Sequence, residues 1–550
     1  MAVAQRIRFF MPVRGGAGRR SFAAFPYTLR RLTRSPRLYW ILVTSILLVT
    51  LARIASTHLT FSQTLDEPVH VAAGHEWLTQ GYYHIDFQHP PMPRVLFALP
   101  FTSVHTGHPT HPSEYGNDLY ADSDRYIHNV AAARRGNLLF VAIAALALAA
   151  STRKLFGDAA AVIALLLFLS LPPVLAHGGL ATTDMAAAAG FALAFHALLL
   201  WTEQPSVMRS ILLGACIAFG ISCKYSFVIF FPPAMVVTLI ARRRMAPARL
   251  LIAAVVAFVL TWGAFGFSFR TMTDANPQAQ EIARGAGVPE QWIHVKLPAP
   301  DLLLGFLTVR LHNRVGHSAY LLGRVSETGW WYYFPVALAV KTPIPFLLLA
   351  SCGVGLLLKR RHRDLFLVFV AAAILLIAMS SRINIGVRHI LPIYIPLSMI
   401  AAYAAVELWR FHREARFALA VAFLWLLTSS ALAHPDYIPW MNAFAGKRPY
   451  HVLLDSNFEW GQDIWRLGRI CRKRGITSLE YAVVTTIRPN SIGITGGHLL
   501  SEDAPAHGWI VISEQNLELA RVKNPQAYDW LERLPRFERV GKTLRLYRNP

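Results

Sequence analysis

Cysteine is scarce in this chain of 550 residues, and its four copies form no ligand pattern. Cys216, Cys223 and Cys352 lie in or beside apolar stretches, and Cys471 lies in the polar C-terminal part. This distribution indicates neither a disulfide framework nor a zinc site. We also find no internal repeat and no low-complexity tract, which excludes a repeat architecture.

Acidic residues are the second shortage. The chain has 31 Asp and Glu against 54 Lys and Arg, a formal net charge of +23. Residues 1–38 contain nine Arg and no acidic residue, and the other basic clusters lie in short connections between apolar runs. Charge placed in this way orients membrane spans and does not form a nucleic-acid groove. We therefore expect no nucleic-acid partner, and the many later spans exclude a cleavable signal peptide.

Apolar runs are abundant. Hydrophobic residues make up 54% of the chain, too many for a soluble globular protein of this length. The runs long enough to cross a bilayer are 39–54, 137–151, 158–176, 185–201, 208–222, 226–241, 249–268, 333–358, 364–380, 389–408 and 416–433. The sequence predicts a polytopic α-helical membrane protein of about eleven transmembrane helices. The count rises to thirteen at most, because 92–104 and 332–345 also suit re-entrant or interfacial segments.

The order of the basic connections predicts sidedness. Arginines immediately before the first span place the segment 1–38 in the cytoplasm, and every second connection after it is basic. The transmembrane domain then covers 39–433, with large outer loops at 56–136 and 269–330. A C-terminal domain, residues 434–550, follows outside the membrane.

Two adjacent carboxylates, Asp66 and Glu67, follow the first span at the predicted outer face. A carboxylate beside apolar surface has a raised proton affinity and suits a general base, although the start of a solvated loop is the ordinary alternative. Asp184 opens an Ala-rich span after two threonines. It is either a helix cap or part of a site, and the two roles are compatible.

Histidine is concentrated in the first outer loop, where eight of the 21 lie between residues 58 and 111. They are His58, His70, His75, His84, His89, His105, His108 and His111. Metal binding is a candidate role, but no pair has HExxH spacing or another strong ligand motif. The metal is left unknown. His89-Pro90-Pro91 predicts a rigid turn that directs the next apolar stretch back toward the membrane.

Several basic residues lie on the predicted outer face, where the positive-inside rule disfavours them. They are Arg134, Arg135, Lys224, Lys341 and Arg388, the last followed by His389. Lys341 lies within an apolar run, where an unpaired charge is expensive. Interfacial anchoring is the ordinary alternative. A phosphate or an anionic lipid headgroup would also satisfy these cations, with Arg suited to bidentate contact.

The polar C-terminal part predicts an α/β domain. Its predicted strands are 451–455, 478–485 and 508–514, and its predicted helices are 462–475 and 527–534. Asp455, Asn457, Glu459 and Asp463 lie at a strand-to-helix turn, where ligand-binding residues are common. A helix-terminal role is the alternative for Asp463.

Six stretches together resemble the bacterial GT-C membrane glycosyltransferases related to the protein O-mannosyltransferases and the lipid A aminoarabinose transferase (glycosyltransferase family 39-like). They are DEPVHVAAGHEWLTQGYYHIDFQHPPMPRVLFALP, ATTDMA, CKYS, YLLGRVSETGWWYYFPVALAVKTPIPFLLL, INIGVRHILPIYIPL and DSNFEWGQDI. The matches run from about residue 64 to 465. The chain departs from the family's usual DSN-Leu-Asp-WGQD, because Phe458 and Glu459 stand before Trp460.

The resemblance implies inverting transfer of a hexosyl or pentosyl group from a polyprenyl-phosphate donor to an acceptor at the outer face of the inner membrane. It implies Asp66 as the general base, with Glu67 supporting it. Asp184 and His89 would orient the acceptor or a cation. Lys224, Lys341 and Arg388 fall where the family would bind the donor phosphate. We add Arg134, Arg135 and His389 of the predicted outer face as candidates for the same contact. The acceptor is a lipid, a glycan or a protein, and a divalent cation is the one cofactor left open.

Two other classes compete with this interpretation. A transporter of a polyprenol-linked glycan or lipid would need charged residues near span midpoints, where Lys341 is the one good candidate. A non-catalytic membrane scaffold would leave the outer charge clusters unexplained.

Overall fold

The computed structural model describes residues 35–81, 84–106, 111–120, 125–276 and 278–550. Most of the predicted cytoplasmic segment 1–38 lies outside the described residues, as does His108. Helices from α1 to α20 make up the N-terminal four-fifths of the described chain. They are α1 (Pro36–Ala55), α2 (Glu67–Gln80), α3 (Pro91–Ala98), α4 (Pro112–Tyr120), α5 (Tyr126–Phe156), α6 (Asp158–Leu169), α7 (Pro172–Gly178), α8 (Asp184–Glu203), α9 (Val207–Cys223), α10 (Ser226–Arg242), α11 (Pro247–Ala264), α12 (Met272–Ala275), α13 (Ala279–Gly285), α14 (Glu290–Ile293), α15 (Pro300–Val315), α16 (Tyr333–Lys341), α17 (Ile344–Lys359), α18 (Phe366–Met379), α19 (Tyr394–Arg410) and α20 (Arg413–Leu432).

Each of the eleven predicted spans coincides with an apolar helix or a bent helix pair. Within the described ranges, six helices are long and apolar enough to cross a membrane: α1, α5, α8, α11, α20, and α19 with the 3-10 helix before it. The pairs α6–α7 and α16–α17, bent by 69° and 116°, would raise this to eight. The helices α9, α10 and α18 are apolar but shorter. The chain is therefore a polytopic helical protein, and the count of eleven spans stays a prediction.

Prolines explain both bends. Pro172 and Pro173 open α7, and Pro343 stands between α16 and α17. A proline has no backbone N–H and restricts the residue before it, so a helix tends to end there and restart in a new direction. The sharp bend of α16–α17 leaves Lys341 at the end of α16, inside the protein.

The helices differ in what they face. Almost every residue of α8 is buried, and Gly190 on it packs so closely on Gly220 of α9 that a Cβ there would lie 2.7 Å from the neighbour's Cα. By contrast, α11 and α20 expose most of their apolar side chains. An apolar helix surface exposed in this way suits contact with lipid. The bundle is thus built around α8, with α11 and α20 on its outside.

The two predicted outer loops carry the short helices α2–α4 and α12–α15. The second loop also holds the antiparallel ladders β1 (Phe269–Arg270) with β2 (Leu297–Pro298) and β3 (Ala319–Leu321) with β4 (Arg324–Ser326). The His-Pro-Pro stretch forms the predicted turn, because Pro90 is extended and Pro91 opens α3.

The C-terminal part is an α/β unit, as predicted. Its elements are β5 (Glu480–Ala482), β6 (Gly508–Ser513), β7 (Phe537–Val540), β8 (Leu544–Asn549), α21 (Ile464–Arg474), α22 (Glu514–Lys523) and α23 (Asp529–Glu532). The sheet order is β5-β6-β8-β7, with β5 parallel to β6 and the other pairs antiparallel. The predicted helix 462–475 and the two later strands are confirmed, although β5 is shorter than expected and α23 spans four residues.

The predicted strand 451–455 is wrong. A 3-10 turn, Pro449–His451, precedes it, and a second one, Asp455–Asn457, begins at its last residue. Between them, Leu453 makes a single bridge to Leu321, and Leu322 N–H donates to the Val452 carbonyl at 3.0 Å. The apolar residues are therefore buried against the outer-loop hairpin β3–β4. Burial in a turn gives the same short apolar run as a buried strand.

Candidate active site

A cavity of about 360 Å³ lies where the first outer loop, α10, α15 and the C-terminal part meet. Six predicted site residues line it: Asp66, His89, Lys224, Arg388, His389 and Asp455. They come from segments that are up to 389 positions apart between Asp66 and Asp455. The fold thus brings both a carboxylate and cations to one concave surface.

Arg388 is the centre of the polar wall. Its Nη1 donates to Asp66 Oδ2 at 2.8 Å and lies 3.7 Å from Asp184 Oδ2. The guanidinium also stacks over the Trp460 ring, 4.2 Å from its centroid. Its buried Nε has no hydrogen-bond partner among the residues that the structure describes. The group is rigidly held and still has a donor to offer a ligand.

Lys224 and Asp184 form the second part of this wall. Lys224 Nζ donates to Asp184 Oδ1 at 2.5 Å, and Asp184 is buried. Asp184 is the first residue of α8, where a negative charge is favoured by the helix dipole. An ammonium carries three N–H donors, and this carboxylate takes one of them in the described part of the chain. The Asp184 carboxylate therefore holds both cations, Lys224 and Arg388, in place.

Glu67 lies behind the wall in a closed network. Arg134 donates to it twice at 2.7 Å, and the backbone amides of Thr64 and Ala181 donate at 2.7 and 2.8 Å. Glu67 and Arg134 are 0% and 1% exposed. The other N–H groups of Arg134 donate to backbone carbonyls of the first outer loop. Glu67 and Arg134 therefore lie in a closed cluster outside the cavity lining, and the roles expected of them in catalysis and phosphate binding stay predictions.

Lys341 is also saturated by the protein. Its Nζ donates to the carbonyls of Ile438, Trp440 and Asn457 at 2.5, 2.7 and 2.8 Å. These three bonds use all the donors of an ammonium group and tie Lys341 to the C-terminal part, and the expected contact with a donor phosphate stays a prediction. Arg135 points outward on α5 and is exposed. The structure brings neither residue to the cavity wall.

Only Asp455 of the four C-terminal candidates lines the cavity. Its backbone has φ of +55°, a conformation that Asp tolerates better than most residues but that still costs energy. The Asp455 amide donates to Gln515 Oε1 at 2.7 Å, which fixes the turn from the C-terminal part. Burial raises the pKa of the Asp455 carboxyl, although the Arg388 charge opposes this.

The other three C-terminal candidates hold the structure together. Asn457 accepts from the Val387 amide at 3.0 Å and donates to Tyr333 Oη at 2.9 Å. Glu459 accepts from the Gln515 amide at 3.0 Å. Burial raises the pKa of Glu459 to about 8.

Asp463 accepts from the Lys542 and Thr543 amides at 3.0 and 3.2 Å, which anchors the turn between β7 and β8. Arg466 also donates to it at 2.9 Å. Asn457, Glu459 and Asp463 therefore lie outside the lining of this cavity, and the ligand-binding role expected of them stays a prediction. Polar side chains at a turn can bind a ligand or fix the turn, and the sequence does not distinguish the two.

One histidine group has metal-like spacing. Ligand atoms of His70, Asp86 and His89 lie within 4.8 Å of one another. The Arg94 guanidinium lies among them: its Nε donates to His70 Nδ1 at 3.3 Å, and Nη2 pairs with the Asp86 carboxylate. Burial alone would raise the pKa of Asp86, but Arg94 and His89 hold it well below its usual range. A fixed guanidinium thus supplies the positive charge, and this donor set does not fit a metal ion.

An apolar groove of about 420 Å³ continues from the cavity between α10, α15 and α18. The two share Tyr225, Ser226, Ile229, Val309, Ile383 and His389. On α15, Phe306, Val309, Arg310 and Asn313 face the groove with helical spacing.

Sequence reasoning missed the α15 face of the groove. It also missed Trp460, His312 and His317 in the cavity. The periodic face of α15 was a usable signal for the groove. Trp460 lies inside the DSNFEWGQD stretch that the sequence analysis singled out. The two histidines carry no local pattern that points to the site.

Known proteins resemble this chain in part of its sequence and in its fold. Residues 127–264 match the family model described as dolichyl-phosphate-mannose-protein mannosyltransferase. The structure of ArnT from Cupriavidus metallidurans bound to undecaprenyl phosphate is similar over 93% of this chain and 98% of that one. Its TM-score is 0.50 and its identity 14%. The Archaeoglobus fulgidus oligosaccharyltransferase in its apo form overlaps over 85% of this chain and 62% of that one, with TM-score 0.44 and 13% identity. No curated protein sequence matches the chain.

The resemblance drawn from the sequence is confirmed at the level of the fold. The apolar helices, the family match across α5 to α11 and the architecture shared with this ArnT all agree. The chain is a polytopic integral membrane protein, and its fold is similar to that of this ArnT.

Proposed function

We propose that this protein is a glycosyltransferase that moves a sugar from a polyprenyl-phosphate donor to an acceptor. The observation that carries the proposal is the arrangement of Asp66 beside Arg388 and Lys224 in a cavity that continues into an apolar groove. A lipid-linked sugar phosphate has the same sequence of parts. It has an apolar chain, an anionic phosphate and a polar sugar.

The cations suit the leaving group. Transfer releases the polyprenyl phosphate as a monoester, so negative charge grows on the phosphate oxygens. Preorganised cations in a site shielded from water stabilise such charge more strongly than water does. In this proposal Arg388 Nε and the Lys224 ammonium donate hydrogen bonds to the phosphate oxygens. His389 lies at the boundary between the cavity and the groove. The similar ArnT structure, bound to undecaprenyl phosphate, supports a polyprenyl-phosphate donor.

Asp66 suits the base. In the proposed step the acceptor's O–H or N–H transfers its proton to the Asp66 carboxylate, and the acceptor atom forms a bond to the anomeric carbon. The bond from that carbon to the phosphate oxygen breaks, and its electron pair stays on the phosphate. Attack opposite the leaving group inverts the anomeric centre. The hydrogen bond from Arg388 fixes the direction of the carboxylate while its other oxygen stays available.

The remaining residues of the wall have supporting roles. Asp184 positions Lys224 and Arg388 through ion pairs. Asp455 and His89 face the space left for sugar and acceptor. We place this face outside the cytoplasmic (inner) membrane, with the C-terminal α/β unit on the same side, because the basic connections alternate and the site lies at the opposite helix ends.

The structure favours transfer over transport. Among the charged residues of the predicted spans, Lys341 carried the transporter interpretation, and backbone carbonyls occupy all three of its donors. A translocation path needs charged groups that can exchange partners near the bilayer midplane. The cavity polar groups lie at helix ends instead.

A donor panel tests the proposal. Purified protein is incubated with polyprenyl-phosphate hexoses and pentoses and with lipid, glycan and peptide acceptors, and released polyprenyl phosphate is measured. We expect sugar transfer from one donor class. We expect no transport of the same donor across the membrane of vesicles that contain the protein. Asp118→Asn, in the same outer loop and outside the cavity lining, is the matched control for Asp66→Asn. Transport of the donor without any sugar transfer would contradict the proposal.

A further inference from the structure

A second charged cavity, of about 320 Å³, lies at the other end of the helices that carry the active site. The helix α8 runs from Asp184 in the active site to Glu203 at this second cavity, and α10 runs from Ser226 to Arg242 in the same sense. Twenty helical residues span about 30 Å, which is about the thickness of the hydrocarbon core. The two cavities therefore lie at opposite membrane faces.

Three connections that are distant in sequence supply its four cations. Lys154 comes from the end of α5, Arg242 and Arg244 from the end of α10, and Arg363 from the turn before α18. Orientation of spans needs basic residues near this face but does not need them around one concave surface. Their convergence is therefore an observation separate from the positive-inside pattern.

The acidic residues present do not neutralise these cations. Lys154 Nζ pairs with Glu203 at 2.6 Å, and Arg242 pairs with the buried Asp364 at 2.6 Å. Four cations against two carboxylates leave an excess of two positive charges. Arg244 has no acidic partner within the described ranges, and the buried Nε of Arg242 likewise has no hydrogen-bond partner there. The cavity offers both net charge and an unused guanidinium donor to an anion.

The cavity also has an apolar floor, made of Leu155 and Leu199. A soluble anion such as free phosphate gains nothing from this floor, whereas a lipid can place its headgroup on the cations and its first carbons on the leucines. Basic pockets between membrane helices on the cytoplasmic side are known to hold anionic headgroups. Arg suits the phosphate because its planar fork can contact two oxygens.

We propose that this cavity binds the phosphate headgroup of an anionic membrane lipid at the face opposite the active site. The proposal is independent of the proposed function, because it uses no residue of the active-site cavity. It gives the protein a second phosphate-recognition site, one for a resident lipid and not for a substrate.

Native mass spectrometry of the purified protein tests this site, with phosphatidylglycerol, phosphatidylcholine and inorganic phosphate as separate probes. The cavity variant is Arg244→Gln with Arg363→Gln. Its matched control is Arg243→Gln with Arg361→Gln, which removes the same charge from the same two connections outside the cavity lining. Each interfacial basic residue contributes roughly a factor of five to anionic lipid binding. We therefore expect phosphatidylglycerol affinity to fall about 25-fold in the cavity variant and less than about twofold in the control.

A single Lys154→Gln variant should lower the same affinity about fivefold, which provides a check that does not depend on the double variant. All four exchanged arginines are exposed, so we expect every variant to elute as the wild type does. Equal losses in the cavity and control variants would overturn the proposal, since general surface charge would then explain them. Equal affinity of the wild type for phosphatidylcholine and phosphatidylglycerol would overturn it as well. Full competition by inorganic phosphate would overturn the assignment to a lipid.

Discussion

Asp66 and Glu67 are neighbours in sequence but belong to two different clusters of charged residues. Asp66 lies in the cavity wall with Arg388, where one oxygen of the carboxylate and one guanidinium donor are left for a ligand. Glu67 lies in a closed cluster with Arg134, where two arginine donors and two backbone amides occupy the carboxylate. The two clusters therefore differ in how much hydrogen-bonding capacity each leaves unused for a ligand.

The cations divide in the same way. Lys224 in the wall has one carboxylate partner in the described part of the chain, whereas Lys341 is held by three backbone carbonyls. A buried ammonium with all donors occupied stabilises the fold, and one with donors to spare can bind an anion.

The largest expected effect is on the closed cluster. Glu67→Gln removes the charge that balances the fully buried Arg134, and breaking a buried pair in this way costs about 3–5 kcal/mol. We expect a large fall in the thermal unfolding temperature and in the yield of folded protein, measured in detergent. Arg135→Gln, next to Arg134 but exposed, is the control and should unfold as the wild type does. Normal stability of the Glu67 variant would show that the cluster is not closed.

A smaller effect, on donor binding and turnover, is expected for Lys224 in the cavity wall. Lys224→Met leaves Asp184 paired with Arg388 and removes a cation from the donor phosphate. A charge-assisted hydrogen bond contributes about 1.5–3 kcal/mol, so donor KM or kcat/KM should worsen about 10- to 150-fold. Lys341→Met is the comparison, and its main effect should be on stability. Equal kinetic losses in the two variants would remove the distinction between the two lysines.

The smallest effect concerns Glu459 in the C-terminal unit. Its folded pKa of about 8 lies above the ordinary value of 4.5, so the folded state binds the proton more tightly than the unfolded state does. The stability from this group is present below pH 4.5 and is lost as pH rises toward 8. Glu459→Gln should therefore raise the unfolding temperature by a few degrees at pH 8 and by less at pH 5. An equal change at both pH values would rule out this titration.

Much of the fold follows from the sequence because length and periodicity are local. Each predicted span found an apolar helix or bent pair, since long apolar runs have few alternatives. The strand predicted at 451–455 did not form. Its apolar residues pack on a hairpin more than a hundred residues earlier, and the local sequence cannot reveal that contact.

Site assignment from sequence was harder for a geometric reason. The helix α2 begins at Glu67, with Asp66 as the residue before it. Successive helical residues point about 100° apart, so one carboxylate faces the cavity while the next turns into the bundle. The same limit applies to Lys224 and Lys341, whose surroundings are set by segments far along the chain.

The most direct test of the account is donor binding and turnover measured together in Asp66→Asn. Arg388 and Lys224, the cations proposed to bind the phosphate, remain in this variant. Affinity for undecaprenyl phosphate should therefore stay within a few-fold of wild type. Turnover should fall about 10²- to 10⁴-fold, the usual contribution of a positioned base. Retained turnover with the most active donor would contradict the assignment of Asp66 as the base. Loss of donor binding to the same extent as turnover would contradict the division between base and phosphate site.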